Sequence, residues 1–284
     1  MRVFKTDSPT VFIEHEETFY KKEIRDWDGF INREGLYSLL LAELKNFKKV
    51  AAGLPEEVQF AAPLGSQEIW AAGVTYMRSK VARMEESKTA GGGSFYDKVY
   101  DAERPELFFK TTAARTAGPG GTVNIRMDSA WDVPEPELTL FISSSGSIEG
   151  YTIGNDMSSR SIEGENPLYL PQAKIYDGCA GLGPCIYVTD KPLSPETVIA
   201  LEVLREGKAV FNGQTSVSQI KRSFLELRDF LFRECSFPDG CFLMTGTGVI
   251  PPDSFTLALN DEIRISIPPV GTLVNFVGKR ILAA

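Results

Sequence analysis

Alternating apolar and polar positions are the dominant pattern in the second half of the chain. Three such runs, each bounded by turn residues, predict β-strands: 138–142, 149–154 and 256–260. One helix is expected among them, over 219–234, because Ile220, Phe224, Leu227 and Leu231 recur along one helical stripe. The pattern therefore predicts an α+β fold in which strands outnumber helices in this half.

The first part of the chain has the pattern of a separate unit. Residues 34–44 carry a helical run of apolar side chains, and short alternating segments precede it. The Ala-Ala-Pro-Leu-Gly stretch at 61–65 is typical of a connector. We therefore expect a small N-terminal domain over 1–65 and a larger domain over 66–284.

A strand, a helix and a glycine-rich segment follow the connector. The apolar run at 69–74 predicts a buried strand, and 77–88, rich in Arg, Lys, Glu, Met and Ala, predicts a helix. Residues 89–94 include three consecutive glycines, which impose no backbone preference. We expect a mobile segment there, either a plain loop or a lid over a site.

Composition and charge narrow the class of protein. The 284 residues include 30 Lys and Arg against 38 Asp and Glu, a formal net charge of −8, which argues against a nucleic-acid partner. Hydrophobic residues at 43% and charged residues at 24% are ordinary for a folded globular protein. The N-terminus turns polar before a signal sequence can form, and no apolar run approaches the ~18 residues that span a bilayer. We therefore expect no membrane partner.

The cysteines and the single histidine argue against several kinds of site. Cys179, Cys185, Cys235 and Cys241 lack the spacing of zinc ribbons or redox centres, so reduced thiols and a cytoplasmic location are expected. His15 is the one histidine of the chain and lies in an acidic stretch. Mechanisms that need a histidine base, a Ser-His-Asp triad or a His-rich metal site are therefore disfavoured.

Acidic residues flank a predicted hairpin. Glu135 and Glu137 are two apart, so in a strand both side chains project from one face. If Ser145 and Gly146 form the centre of the hairpin turn, Asp156 falls opposite Glu135, roughly 5 Å away across the ladder. The spacing therefore predicts three converging carboxylates.

Three like charges at this separation repel one another unless a cation lies among them. Oxygen donors without Cys or His favour Mg2+, with Mn2+ or Ca2+ as further possibilities. Three carboxylates leave about half of an octahedral shell for water or a chelating substrate. The alternative is that these are exposed charges on an edge strand that the neighbouring prolines protect.

The order of several short motifs resembles the fumarylacetoacetate hydrolase superfamily from Trp70 to the C-terminus. The matching segments are 73–76, 108–110, 135–137, 154–160, 173–174 and 245–247. Within the superfamily, 96–110 and 165–176 look like the 2-keto-3-deoxy-D-arabinonate dehydratase branch. The resemblance implies a mixed β-sandwich roll, a homo-oligomer and a 2-oxo acid substrate.

The resemblance also implies roles for individual residues. Mg2+ would be held by Glu135, Glu137 and Asp156. Hydrolytic members carry a histidine shortly after the Gly-x-x-Tyr segment, and Ser79 stands at that place here. Because a serine cannot take a proton near neutral pH, the departure favours elimination of water over hydrolysis. The chain also departs from the superfamily pattern directly after Thr247.

The expected reaction is Mg2+-dependent dehydration of a 2-keto-3-deoxy sugar acid, which for five carbons gives 2,5-dioxopentanoate in sugar acid catabolism. Lys174 and Glu106 are the candidates for proton transfer, and the sequence does not decide which is acid and which base. The candidates for substrate contacts are Tyr76, Ser79, Arg160 and Thr247.

Structural roles remain open for these candidates: ion pairs for Lys174 and Arg160, a helix or turn charge for Glu106, and core or turn positions for Tyr76 and Thr247. Two other functions also remain open. One is a carbon–carbon bond hydrolase of an acylpyruvate or 2,4-diketo acid, using water held by Glu106 or the metal. The other is a non-catalytic protein that binds metal and oxo acid.

Overall fold

Strands outnumber helices in the computed structural model, which describes residues 1–50, 58–86 and 93–280. In chain order the strands are β1 (Arg2–Lys5), β2 (Thr10–His15), β3 (Thr18–Glu23), β4 (Lys48–Val50), β5 (Glu68–Gly73), β6 (Glu106–Thr111), β7 (Thr116–Ala117), β8 (Thr122–Ile125), β9 (Asp132–Val133), β10 (Pro136–Ile142), β11 (Ile148–Asp156), β12 (Ser158–Ser159), β13 (Ala180–Val188), β14 (Val198–Arg205), β15 (Lys208–Ser216), β16 (Cys241–Met244), β17 (Glu262–Ile267) and β18 (Gly271–Lys279). The α-helices are α1 (Trp27–Ile31), α2 (Leu36–Glu43), α3 (Met77–Glu86), α4 (Gly93–Asp101), α5 (Arg160–Glu165), α6 (Leu170–Lys174) and α7 (Phe224–Phe232).

Two mixed sheets form the two layers of the fold. The larger sheet has the order β4-β3-β2-β1-β13-β11-β10-β16-β5-β6, with β7 paired to β13, and the smaller has the order β15-β14-β17-β18-β8. Strands β10 and β11 lie against β14 and β17. Between them lies an apolar core that includes Leu138, Leu140, Ile153, Leu201 and Ile263. The predicted α+β sandwich is confirmed.

The N-terminal strands continue the larger sheet. Strand β1 pairs antiparallel with β13, with Val3 opposite Ile186. The carboxylate of Glu149, on β11, accepts hydrogen bonds from the backbone N–H groups of Gly35 (3.1 Å) and Leu36 (2.9 Å) at the start of α2. Residues 1–50 therefore share a sheet with the rest of the chain, and the predicted domain boundary at residue 65 stays a prediction.

The hairpin of β10 and β11 has the predicted register. Glu137 pairs with Gly154, and Pro136 pairs with Asn155. One position further, the N–H of Asp156 donates to the carbonyl of Glu135 at 2.9 Å. This ladder brings the acidic residues of the two strands to the same end of the hairpin.

The predicted strand at 256–260 is wrong. The backbone N–H of Leu257 donates to the carbonyl of Asp132 (3.0 Å), and that of Ala258 donates to Oδ2 of Asp261 (2.8 Å). Because these donors bond to one carbonyl at the start of β9 and to a side chain, the segment forms turns and extended backbone rather than a ladder.

The predicted helix over 219–234 corresponds to α7, which begins five residues later and ends two residues earlier than predicted. Ser223 caps the N-terminus of α7 by accepting from the N–H of Glu226 at 3.1 Å. Ile220 lies before this cap and forms an isolated β-bridge with Tyr76. The stripe of apolar residues thus extends beyond the helix because its first member pairs with another part of the chain.

Other local predictions hold where residues are described. The strand at 69–74 corresponds to β5, the helical run at 34–44 to α2, and the helix at 77–88 to α3 as far as Glu86. The glycine-rich segment at 89–94 lies outside the described residues except for its last two, which begin α4. Across the described ranges, no helix combines the length and apolar composition needed to cross a bilayer.

Candidate active site

Three carboxylates meet at the end of the β10–β11 hairpin. Glu135 precedes β10, Glu137 lies in it and Asp156 ends β11. One oxygen from each lies within 4.8 Å of the others, and the three residues are only 5%, 2% and 1% exposed. The convergence expected from the spacing is therefore present, and the acidic groups are buried rather than exposed on an edge strand.

Lys174, the last residue of α6, places its ammonium between two of these carboxylates. Its Nζ lies 2.6 Å from Oε2 of Glu135 and 2.9 Å from Oδ2 of Asp156. It also donates to Oγ of Ser158 at 2.5 Å. A lysine 1% exposed is stable in this place because each of these partners is an oxygen acceptor.

Two further cations complete the surroundings of the acidic trio. Lys110, on β6, is fully buried, and its Nζ lies 2.5 Å from Oδ1 of Asp156. The same ammonium donates to the carbonyls of Met157 (3.0 Å) and Lys174 (2.5 Å). Arg160, at the start of α5, donates from Nη2 to Oε1 of Glu135 at 2.6 Å.

Glu163 is a fourth buried carboxylate, which the sequence analysis missed together with Lys110 and Ser158. Its Oε2 lies 3.7 Å from Nε of Arg160, and its Oε1 lies 3.5 Å from Nζ of Lys174. Glu163 follows Arg160 by three residues, and side chains at this spacing are neighbours on a helix, so the sequence could have indicated their ion pair. Lys110 stood within a motif of the resemblance, but no local pattern indicated its contact with Asp156.

Glu137 has a different environment from the other two members of the trio. Its Oε2 accepts a hydrogen bond from the N–H of Gly246 at 2.5 Å. Burial, together with the charges of Asp156 and Glu135, raises the pKa of Glu137 well above its ordinary range. The protein's own cations therefore leave part of the negative charge at Glu137 uncompensated.

Tyr76 has a buried hydroxyl and interacts electrostatically with Glu137, although it is not among the residues that line the small cavity around the trio. The residue is 2% exposed, and its hydroxyl has no hydrogen-bond partner among the described residues. Burial and the charge of Glu137 raise the pKa of Tyr76, so the phenol stays protonated. Val74, two residues earlier, directly follows β5 and has φ +52°. This conformation is unusual for a β-branched residue. A protonated phenol without a partner is suited to donate to a ligand.

Two other candidates have hydroxyls that bond to the backbone. Ser79 donates to the carbonyl of Tyr76 at 2.8 Å and accepts from its N–H at 3.2 Å. Thr247 donates to the carbonyl of Val249 at 3.3 Å and accepts from its N–H at 3.2 Å. Both residues line the same small cavity as the acidic trio.

Glu106 opens β6 directly opposite Gly73 of β5. A Cβ placed on Gly73 would come within 2.1 Å of Oε2 of Glu106, so the carboxylate packs against the glycine backbone. Gly73 in turn lines the cavity. The absence of a side chain at this position lets Glu106 approach the site closely.

The cavity itself has a volume of about 20 Å3, which is room for about one water molecule. Its walls include all three trio carboxylates, Lys174 and Arg160. A cavity of about 840 Å3 lies elsewhere, beside 58–62 and 118–121, and holds none of these groups. The chemistry of the lining, rather than volume, therefore identifies the site.

Comparison with known proteins agrees with this geometry. A family profile described as "Fumarylacetoacetate (FAA) hydrolase C-terminal" matches residues 69–278. The chain is 46% identical over 216 residues to a Haloferax volcanii protein named "Probable 2-keto-3-deoxyxylonate dehydratase", covering 76% of this chain and 73% of that protein. It is 40% identical over 226 residues to the 2-dehydro-3-deoxy-D-arabinonate dehydratase of Saccharolobus solfataricus, covering 79% and 76%.

A solved structure extends the likeness over the whole chain. It is described as 2-keto-3-deoxy-D-arabinonate dehydratase complexed with magnesium and 2,5-dioxopentanoate. The TM-score is 0.82 at 33% identity, with 99% of each chain covered. Because the profile spans most of the chain and two relatives exceed 30% identity, this protein belongs to the fumarylacetoacetate hydrolase family.

Proposed function

We propose that the protein is a Mg2+-dependent dehydratase, a hydro-lyase that removes water from a 2-keto-3-deoxy sugar acid. The observation that carries the proposal is a buried trio of carboxylates with a buried lysine in contact with two of them. The names of the two relatives at 46% and 40% identity support the same reaction class.

The residues present fit a hard divalent ion. Glu135, Glu137 and Asp156 would hold it, since they offer only oxygen donors and lie within 4.8 Å of one another. The pKa of Glu137 is raised because burial and the neighbouring carboxylates disfavour its ionised form, and a divalent ion would stabilise that form. When bound, Mg2+ supplies a Lewis acid that polarises a substrate carbonyl.

The charges of the site favour a substrate with one negative charge. The buried carboxylates are those of Glu135, Glu137, Asp156 and Glu163. The buried cations among them are Lys110, Lys174 and Arg160. With every group ionised, these seven sum to one negative charge, and a divalent ion changes the sum to one positive charge. With Glu106 carrying a proton, the carboxylate of a 2-oxo acid then makes the buried site neutral, which a low-dielectric environment favours.

Lys174 and Glu106 are the groups we propose for proton transfer. One removes a proton from C3 of the substrate, and the other protonates the C4 hydroxyl as it leaves, so that one water is lost. Tautomerisation of the unsaturated five-carbon product then gives 2,5-dioxopentanoate. Lys174 is within reach because its ammonium contacts the carboxylates that would hold the metal, and Glu106 packs against the cavity wall at Gly73.

The remaining candidates would bind and orient the substrate. Tyr76 has the hydroxyl best suited to this role, because it is buried and has no partner among the described residues. Arg160 lines the cavity while bonded to Glu135, so it would both hold that carboxylate and face the substrate. Ser79 and Thr247 form cavity wall, with their hydroxyls bonded to backbone groups.

A product assay tests the function. The purified protein is incubated with Mg2+ and 2-keto-3-deoxy-D-arabinonate, and carbonyl derivatisation with mass spectrometry identifies the products. We expect a five-carbon aldehyde acid that is lighter than the substrate by one water. Two shorter acids would instead establish a carbon–carbon hydrolase, and Mg2+ binding without turnover of any sugar acid would establish a binding protein.

Matched variants test the assigned roles. We expect Glu106→Gln and Lys174→Met to lose turnover by about a hundredfold or more while Mg2+ still binds. Glu103→Gln and Lys191→Met, which alter exposed residues of the same types, serve as controls and should keep full activity. Full activity in either site variant would remove that residue from the mechanism.

We also propose a cytoplasmic homo-oligomer. The proposal of a reducing compartment is supported by Cys179, Cys185 and Cys241, which are buried and free. The oligomer is supported by the family resemblance alone. Light scattering on the purified protein tests it, and a monomeric mass would exclude it.

A further inference from the structure

Lys174 contacts two of the three carboxylates that would hold the proposed metal ion. Its Nζ lies 2.6 Å from Oε2 of Glu135 and 2.9 Å from Oδ2 of Asp156, two of the three proposed ligands. The ammonium and the ion therefore compete for the same oxygens.

Both cations cannot use these oxygens together. A Mg2+ ion takes carboxylate oxygens at about 2.0–2.1 Å in a nearly octahedral arrangement, which leaves no place for an ammonium in the centre of the trio. The two positive charges also repel one another strongly in a buried site. Entry of the ion therefore requires Lys174 to move.

Glu163 is positioned to receive the displaced ammonium. Its Oε1 lies 3.5 Å from Nζ of Lys174, slightly too far for a strong hydrogen bond, and its side chain is 1% exposed. It lies on α5, which packs against α6, and it is not one of the trio. A lysine side chain has four flexible bonds, so a shift of about 1 Å brings Nζ into full contact with this carboxylate.

We propose, on the basis of the proposed function, that the divalent ion and Lys174 exchange places within the acidic trio. Before the ion binds, the ammonium neutralises Glu135 and Asp156. When the ion binds, the ammonium transfers to Glu163. Glu163 is then a positioning residue, which holds the proton-transfer lysine beside the metal and the substrate.

A double-mutant cycle on Mg2+ affinity tests the exchange. Isothermal titration calorimetry is run on the wild type, Glu163→Gln, Lys174→Met and the variant with both substitutions. Lys174→Met should bind Mg2+ about tenfold more tightly, because no ammonium has to be displaced. Glu163→Gln should weaken Mg2+ binding about tenfold more when Lys174 is present than when it is replaced. Only the protein with Lys174 has an ammonium that gains a contact with Glu163 when the metal binds.

The cycle separates the exchange from a general electrostatic effect. Glu163 attracts the ion whether Lys174 is present or replaced by Met. If the ammonium stays in place when Mg2+ binds, Glu163→Gln therefore weakens the Mg2+ affinity by the same factor in both cases. Equal penalties, or a smaller penalty with Lys174 present, would overturn the proposal. Glu165→Gln removes the same charge from an exposed position of α5 and should leave the affinity unchanged.

A structural measurement keeps the proposal testable if a variant does not fold. Crystals of the wild type are compared after treatment with chelator and after soaking in Mg2+. We expect Nζ of Lys174 to lie against Glu135 and Asp156 without the ion and within hydrogen-bond distance of Glu163 with it. An ammonium that keeps its first position beside bound Mg2+ would overturn the exchange, whereas a wild type that binds no Mg2+ in either experiment would refute the proposed function itself.

Discussion

Gly246→Ala should damage both the stability and the metal site of this protein. Gly246 has φ +93°, and its N–H donates to Oε2 of Glu137 at 2.5 Å. A Cβ at this position would lie 2.0 Å from Oγ1 of Thr75 and 3.0 Å from the carbonyl oxygen of Ala72. The substitution therefore combines backbone strain with a steric overlap next to a proposed metal ligand.

Backbone strain and steric overlap both contribute to the expected loss of unfolding free energy. A left-handed conformation without glycine destabilises by about 1–2 kcal/mol, and overpacking typically adds about 1–3 kcal/mol. Thr75 cannot turn away freely, because its hydroxyl donates to the carbonyl of Thr245 at 2.7 Å in the buried core. We expect a total loss of unfolding free energy of about 2–5 kcal/mol, which for a domain of this size lowers the Tm by roughly 10 °C.

Gly207→Ala is the matched control for Gly246→Ala. Gly207 has φ +74°, and no atom lies within 4 Å of its added Cβ, so only the backbone term of about 1–2 kcal/mol applies. Thermal unfolding and Mg2+ calorimetry are measured on both variants. Gly246→Ala should lose more stability and should bind Mg2+ more weakly, whereas Gly207→Ala should keep its affinity. Equal losses of stability would refute the close packing argued for Gly246.

Three further predictions concern buried ionisable groups. Because the folded-state pKa of Glu137 is raised above its ordinary value of 4.5, the metal-free protein should lose stability as pH rises through that raised pKa, and calorimetry should show tighter Mg2+ binding over the same range. Burial raises the pKa of Asp132 from its ordinary value of 3.8 to about 6. The contribution of Asp132 to stability is therefore complete below pH 3.8 and is lost as pH rises through about 6. Urea unfolding with saturating Mg2+ should show this loss in the wild type and not in Asp132→Asn. Lys110→Met should lower the urea unfolding free energy of the metal-free protein by about 1.5–3 kcal/mol, because Asp156 loses one of its two lysine partners and keeps Lys174.

Each of these predictions has a contradicting result. A Mg2+ affinity that is constant with pH, or that changes equally in Glu137→Gln, would show that Glu137 does not exchange a proton for the ion. An Asp132→Asn variant with the wild-type pH profile would assign that profile to another group. A Lys110→Met variant as stable as the wild type would show that its ion pair with Asp156 is not required for folding.

Local patterns were sufficient to predict the acidic trio. The i, i+2 spacing of Glu135 and Glu137 and the turn at 145–146 determine which side chains share one face and which residues pair. Strand alternation and hairpin register are properties of neighbouring residues, so they can be derived from one sequence. The approach of Asp156 to Glu135 followed from these alone.

Contacts between distant segments could not be predicted in the same way. Lys110 meets Asp156 because β5 and β16 connect β6 to the hairpin within the larger sheet, and no periodicity in the sequence specifies that order of strands. The wrong strand at 256–260 has the same origin. Its alternation is real, but the backbone N–H of Leu257 donates to the carbonyl of the distant Asp132, a contact that no local pattern indicates.

The division of the site between rigid and movable elements agrees with the chemistry we propose. The carboxylates that would hold the ion belong to one hairpin, whose ladder fixes their spacing. Lys174 instead ends a helix of five residues, and its ammonium donates to Glu135 and Asp156, which would also bind the metal ion. A metal site requires ligands at fixed distances, whereas proton transfer requires a group that can change partners. A fixed hairpin and a lysine on a short helix meet both requirements at one end of the sheet.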